Sequence, residues 1–133
     1  MRMLVASGSS GGHLFPALAF LEAFRPQHPG AKIKLVVPRK RAANIVFPPG
    51  YDVSYIRSAA LVSRPVIRMV AAVWDIIAGW FQSLVIVVSF RPDVAVGFGS
   101  IASIPVLVLT KLLGKRVAIH EQNVIPEGRT GFW

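Results

Sequence analysis

The 133-residue sequence predicts an α/β fold built on a doubly wound parallel sheet. Short runs rich in Val, Ile and Leu alternate with helical patterns, which is typical of a parallel sheet covered on both faces. Polar or glycine-rich segments follow the first, fourth and fifth predicted strands, at 7–12, 97–100 and 120–123. Ligands of open α/β sheets bind at the carboxyl ends of the strands. These segments are therefore the candidate site of a Rossmann-like domain.

The first half of the chain contains three predicted strands and one helix. Met3–Ala6 is a short apolar run that ends in a Gly/Ser loop, so it is predicted as the first strand. Leucine and phenylalanine recur at spacings of three and four residues over Leu14–Phe24, which predicts a helix with Pro16 in its first turn. Lys32–Val37 and Asp52–Ile56 are predicted as the second and third strands.

The second half begins with a long helix over Val66–Ser89 that is apolar on nearly all sides. Part of such a helix must be buried, and the rest must meet another apolar phase. Asp93–Val96 is the fourth predicted strand, and Ser103–Leu113 is a helix with Gly114 just after its end. Arg116–Ile119 is the fifth strand.

Composition points to an anionic partner. Fifteen Lys and Arg against six Asp and Glu give a net charge of +9, and 53% of the residues are hydrophobic, which excludes a disordered chain. Candidate partners are nucleic acid, phosphorylated small molecules or an acidic membrane surface. Cysteine is absent, which excludes disulfides and thiolate metal sites. His13, His120 and Glu121 have no metal-ligand spacing, so neither a metal nor another cofactor is expected.

The stretch 69–90 is long enough to cross a bilayer, which takes about 20 residues. Asp75 lies inside it, at a cost of about 2.5–3.5 kcal/mol at membrane depth. Tryptophans beside basic residues favour attachment to an anionic membrane surface, and insertion remains an alternative. Nucleic-acid binding is less favoured, because the aromatic residues lie in apolar sequence. The predicted membrane patch comprises Arg64, Arg68, Trp74, Ile77, Trp80 and Phe81.

The segment Gly8–His13 (GSSGGH) joins the first strand to the first helix. Backbone N–H groups at a helix N-terminus favour a phosphate, although the segment matches neither G-x-G-x-x-G nor a Walker A loop. A plain tight turn is the alternative. His13 is a candidate general base, or alternatively a solvated or capping histidine. Gly97–Ser100 (GFGS) repeats the glycine pattern, and two such turns facing each other would form a cleft for a diphosphate.

Three motifs coincide in order and spacing with a known family: SGSSGGHLFP at 7–16, GFGSIASIP at 97–105 and HEQNVIP at 120–126. Over essentially its whole length the chain resembles the N-terminal domain of the MurG family. Members of that family are inverting glycosyltransferases of the GT-B fold. They move N-acetylglucosamine from UDP-GlcNAc to an undecaprenyl-diphosphate-linked muramoyl-pentapeptide in peptidoglycan synthesis, as peripheral proteins on the cytoplasmic face of the bacterial inner membrane.

The resemblance implies roles for individual residues. His13 would be the catalytic base or an acceptor ligand. The residues implied to bind the donor and its diphosphate are Ser10, Gly11, Gly12 and Asn123. The residues implied to bind the acceptor are Gly97, Gly99, Ser100 and Glu121. The sequence departs from the family at Ile101, where the family has a tyrosine.

A GT-B transferase also needs a second domain that carries most of the contacts to the nucleotide sugar. The resemblance therefore implies that residues 1–133 are a single acceptor-binding, membrane-associating domain, inactive alone and completed by a donor domain in cis or in trans. The alternative is a non-catalytic membrane-anchoring acceptor subunit of a two-chain transferase. A nucleic-acid-binding domain is a third hypothesis, and steep salt dependence of DNA binding would distinguish it.

Overall fold

The computed structural model of the chain describes residues 1–39, 45–47, 49–59 and 66–120. Its strands are β1 (Arg2–Ser7), β2 (Lys32–Pro38), β3 (Asp52–Ile56), β4 (Val94–Phe98) and β5 (Arg116–Ile119). They form one parallel sheet in the order β3-β2-β1-β4-β5. This is the doubly wound order, in which the chain crosses from β3 back to β4 beside β1. The predicted Rossmann-like fold class is confirmed.

The helices are α1 (Gly11–Gln27), α2 (Val66–Phe90) and α3 (Ile104–Leu112), with a short 3-10 turn at Ile101–Ser103. Helix α1 begins three residues before the apolar pattern does. The Ser10 carbonyl accepts hydrogen bonds from the N–H groups of His13 (3.0 Å) and Leu14 (2.9 Å), and these bonds start the helix. The prediction that Pro16 lies in the first turn was wrong, because this earlier start places it in the second turn.

Strand β1 supplies both cores of the domain, because successive side chains of a strand point to opposite faces. Met3 and Val5 pack against α1 on one face. Leu4 and Ala6 pack with residues of α2 and α3 on the other. All four side chains are buried. This two-sided burial is why the central strands lack the polar alternation of a half-exposed sheet.

Helix α2 buries a narrow stripe and exposes a wide apolar face. Its buried residues are mostly small: Ala72, Gly79, Ser83 and Val87. Its large apolar residues on the other side are exposed: Val70, Trp74, Ile77, Phe81, Leu84, Val85 and Val88. By length and composition Arg68–Phe90 could cross a membrane, yet the stripe packs on β3 and α3. The helix is therefore part of the folded domain, with an apolar face that the described residues leave uncovered.

Helix α2 comes very close to the residue that follows β3 at Gly79. A Cβ atom at Gly79 would overlap the backbone carbonyl oxygen of Arg57. One turn further along, the Gln82 Oε1 atom accepts a hydrogen bond from the Arg57 N–H at 2.7 Å. The carboxyl end of β3 is thus held on α2 through backbone atoms, which cannot move aside as a side chain can.

Replacing Gly79 with alanine is expected to lower the free energy of unfolding by about 2–3 kcal/mol, because the new methyl group overpacks a contact with backbone. Urea denaturation of the purified chain measures this loss. Gly30→Ala is the matched control, since Gly30 has open space around its Cα. It should change the free energy of unfolding by less than about 1 kcal/mol. Equal losses in the two variants would contradict the proposed packing.

Candidate functional site

The candidate site lies where β1 and β4 run side by side and the strand order reverses. Each strand ends in a glycine-rich loop, and the two loops touch. A Cβ atom at Gly8 would lie 2.8 Å from the Cβ and 3.0 Å from the Oγ of Ser100. A larger residue at position 8 would therefore push the loops apart. The structure brings together the first two polar segments at the position where doubly wound sheets bind ligands.

His13 lies between these two loops. A Cβ atom at Gly99 would lie 2.6 Å from the His13 Nδ1 atom, and one at Gly8 would lie 3.0 Å from His13 Cδ2. The Nδ1 atom is buried and has no hydrogen-bond partner among the residues that the structure describes. A buried polar atom without a partner costs about 1–3 kcal/mol, so such atoms are concentrated at functional sites.

The second loop has an unusual backbone. Gly99 has a φ of +67°, and Ser100, which is not a glycine, has a φ of 73° and a ψ of 142°. A non-glycine residue near this region costs about 1–3 kcal/mol and needs support from its surroundings. The Ser103 hydroxyl provides it, donating to the carbonyl oxygens of Gly99 (2.9 Å) and Ser100 (2.8 Å). Ser103 was not among the predicted site residues, although a serine three or four residues after a loop residue commonly bonds back to that residue's carbonyl oxygen.

The N-terminus of α1 supplies donors beside His13. Ser10 is the N-cap residue, and its side chain makes no capping hydrogen bond within the described part of the chain. Gly11 and Gly12 are exposed, and no acidic residue lies in the first turn. The first N–H groups of a helix have no intrahelical acceptor, and the helix dipole adds a positive potential there. The arrangement suits a phosphate or another anion.

Gly97 is part of β4 and not of the loop. The predicted strand ends at Val96, but Gly97 and Phe98 pair with Ala6 and Ser7 of β1. That boundary was wrong because pairing with a central strand extends β4 through the glycine. A Cβ atom at Gly97 would lie 2.5 Å from the Cδ1 atom of Leu107, so the glycine makes room for α3. Its implied contact with the acceptor remains a prediction.

Of the third polar segment, only His120 lies among the described residues; Glu121 and Asn123 lie outside them, as does Arg64 of the predicted membrane patch. The His120 N–H donates to the Gly97 carbonyl oxygen at 2.8 Å. Its ring packs on Phe98, with 5.2 Å between the ring centroids. This segment therefore starts at the same edge of the sheet as the two loops. No cluster of three His, Asp or Glu side chains suited to a metal occurs within the described ranges.

The other predicted membrane-patch residues are all exposed or half-buried: Arg68, Trp74, Ile77, Trp80 and Phe81. Trp80 also lines a cleft of about 190 Å³ between α2 and the segment that follows Ser100. The remaining walls of this cleft are Arg57, Ser58, Ala59, Ile76, Ile101, Ala102, Ile104 and Pro105. No sequence pattern indicates this cleft, because its walls come from three segments that are distant in the chain.

Gly99→Ala is expected to lower the free energy of unfolding by about 2–4 kcal/mol and to displace the His13 ring, because it combines backbone strain with overpacking. Gly114→Ala is the matched control. Gly114 has a nearly identical φ of +70°, but a Cβ atom there would meet nothing within 4 Å, so strain alone should cost about 1 kcal/mol. Urea denaturation and the NMR signals of the His13 ring report the two effects. Equal losses, with the ring signals unmoved, would contradict the packing of His13 on Gly99.

Comparison with known proteins identifies relatives over almost the whole chain. A protein from Alkaliphilus metalliredigens is 33% identical over 127 residues, which is 95% of this chain and 35% of that protein. One from Shewanella pealeana is 36% identical over 126 residues, or 94% of this chain and 34% of that protein. Both carry the name UDP-N-acetylglucosamine–N-acetylmuramyl-(pentapeptide) pyrophosphoryl-undecaprenol N-acetylglucosamine transferase. The chain spans about a third of the length of these curated relatives.

Solved structures agree with this result. MurG from Acinetobacter baumannii matches with a TM-score of 0.77 and 27% identity, over 97% of this chain and 37% of that protein. The spinosyn rhamnosyltransferase SpnG, at 20% identity and a TM-score of 0.61, shares the fold and is matched over 98% of this chain and 37% of its own. The resemblance to the MurG family is confirmed. The glycosyltransferase family 28 N-terminal domain matches residues 3–132, and the chain therefore belongs to glycosyltransferase family 28.

Proposed function

We propose that this chain is the acceptor-binding, membrane-associating N-terminal domain of an inverting glycosyltransferase. The enzyme would move N-acetylglucosamine from UDP-GlcNAc to a muramoyl-pentapeptide linked through a diphosphate to a polyprenol. The names of the curated relatives support this substrate pair. A donor domain completes the enzyme. This chain matches only about a third of the length of these relatives, so a separate acceptor subunit is not favoured.

The observation that carries the proposal is the contact of His13 with both glycine loops at the switch point. In a single displacement, the acceptor hydroxyl oxygen bonds to the anomeric carbon of the sugar, and UDP leaves with the electrons of the broken bond. The hydroxyl proton passes to the Nε2 atom of His13. The N–H groups of Gly11 and Gly12, with the Ser10 hydroxyl, stabilise phosphate charge. Asn123 and Glu121 keep their proposed donor and acceptor roles.

The membrane part of the proposal rests on α2. Its exposed face carries Trp74, Ile77 and Phe81, and its opposite stripe packs on β3 and α3. Crossing the bilayer would require this stripe to leave the fold. We therefore propose that α2 lies on the cytoplasmic surface of the inner membrane with its apolar side chains among the lipids. Exposed Arg68 and the net charge of +9 favour anionic headgroups.

The purified chain is expected to sediment with liposomes that contain anionic lipid, and to do so less at high salt, because screening weakens the charge attraction. The double variant Trp74→Ser/Phe81→Ser should lower the partition coefficient at least about tenfold through lost apolar burial. Leu112→Ser is the control, since Leu112 is 76% exposed but lies at the end of α3. Unchanged partitioning of the double variant, or an equal loss in the control, would contradict membrane docking through α2.

His13→Ala is expected to lower kcat by about 10²–10⁴, because the acceptor hydroxyl loses its base. The assay uses a chimaera in which this chain replaces the matching third of the Shewanella pealeana relative and in which GlcNAc transfer is first established. His28→Ala is the matched control, an exposed histidine just after the other end of α1. A loss of less than threefold in the His13 variant would exclude it as the base.

A further inference from the structure

We infer that the cleft between α2 and the segment following Ser100, called here the α2–α3 cleft, binds the part of the acceptor's apolar chain nearest to its diphosphate. The ligand class is an apolar chain bonded to a diphosphate, such as an isoprenoid diphosphate. The inference rests on the proposed function and deepens it, because it places a subsite for the apolar chain between the two glycine loops and the exposed apolar face of α2.

The lining of the cleft fits an apolar chain. Seven of its nine lining residues are apolar, and Arg57 and Ser58 are the other two. Its volume of about 190 Å³ is below the roughly 300–1,000 Å³ of pockets that enclose a drug-sized molecule. An ordered water needs two to four polar partners, which this lining scarcely offers. The cleft therefore suits a short segment of hydrocarbon.

The lining of the cleft includes residues next to two surfaces that already have proposed roles, namely the second glycine loop and the exposed apolar face of α2. One lining residue, Ile101, directly follows Ser100 of the second glycine loop. Another lining residue is Trp80, whose neighbour Phe81 lies on the exposed apolar face of α2. A chain that leaves a diphosphate at the loops can thus reach the bilayer along apolar walls. Ile101 is 58% exposed and Ile104 is 46% exposed, so both side chains have apolar surface left for a ligand.

The lining of the cleft includes a cationic side chain that an anionic head group can contact. The Arg57 guanidinium forms an ion pair with the Asp75 carboxylate at 3.8 Å, and its side chain is 46% exposed. Its backbone is held by Gln82 and by the contact with Gly79, so this part of the lining has a defined position. An exposed guanidinium beside apolar walls suits a ligand with an anionic head and a hydrocarbon tail.

The test is calorimetric titration of the full chain, without vesicles, with three probes: inorganic diphosphate, geranyl diphosphate and geraniol. Geranyl diphosphate should bind at least about tenfold more tightly than either of the others, because it uses both the cleft and the loops. Equal affinities for the two diphosphates would overturn the inference and leave the proposed function standing. Equal affinities for geraniol and geranyl diphosphate would overturn the coupling of cleft and loops. Failure of all three probes to bind would overturn the proposed diphosphate site as well.

Variants of the cleft test whether its walls contact the hydrocarbon chain. The gain, which is the ratio of the affinity for geranyl diphosphate to that for inorganic diphosphate, should fall at least about fivefold in Ile101→Ser/Ile104→Ser. The affinity of this variant for inorganic diphosphate should be unchanged. Both residues are exposed, so the variant should fold, and a thermal melt checks this. Leu112→Ser, on the same helix as Ile104 but outside the cleft, should retain the full gain. A double variant that retains the gain would overturn the inference.

Discussion

The pairing of β1 with β4 is the constraint on which the site depends. It places two loops that are far apart in the chain side by side at one edge of the sheet. Because Gly8 has no side chain, the loops approach to contact, and because Gly99 has none, the His13 ring fits against the second loop. The helix N-terminus then presents its N–H groups beside the imidazole. Loss of either close approach would separate the helix N-terminus and the His13 ring from the second loop.

Support for this arrangement comes from a residue that touches no proposed substrate. Ser100 adopts a backbone conformation that L-residues rarely occupy. The Ser103 hydroxyl donates to the carbonyl groups on both sides of the Ser100 Cα atom, which belong to Gly99 and Ser100. The strain is thus balanced within the short segment from Gly99 to Ser103. Preorganised hydrogen-bond donors and dipoles usually make the largest contribution to catalysis, because they need no reorganisation during the reaction. A rigid second loop is consistent with that requirement.

Helix α2 explains how a folded domain can contain 53% hydrophobic residues. Small residues form its buried stripe, which lets the helix come close to β3 and α3. Large apolar residues are left on the outside, where a membrane can bury them. The same helix contributes Trp80 and Ile76 to the α2–α3 cleft. Folding, membrane docking and acceptor binding would therefore share one element, with each function on a different part of its surface.

The sequence alone determined the fold class, the bounds of β3 and β5, and the two glycine loops, because these depend on local signals: apolar runs, helical periodicity and glycine at strand ends. It also identified the family, through motifs that are contiguous in the chain. Only the tertiary structure decided that Gly97 belongs to the strand, that Ser103 supports the second loop, and that Arg57, Trp80 and Ile101 line one cleft. The strand pairing and the cleft come from contacts between residues far apart in sequence, on which local patterns carry no information. The Ser103 contact is local, but it supports a positive φ at Ser100 that only the structure shows.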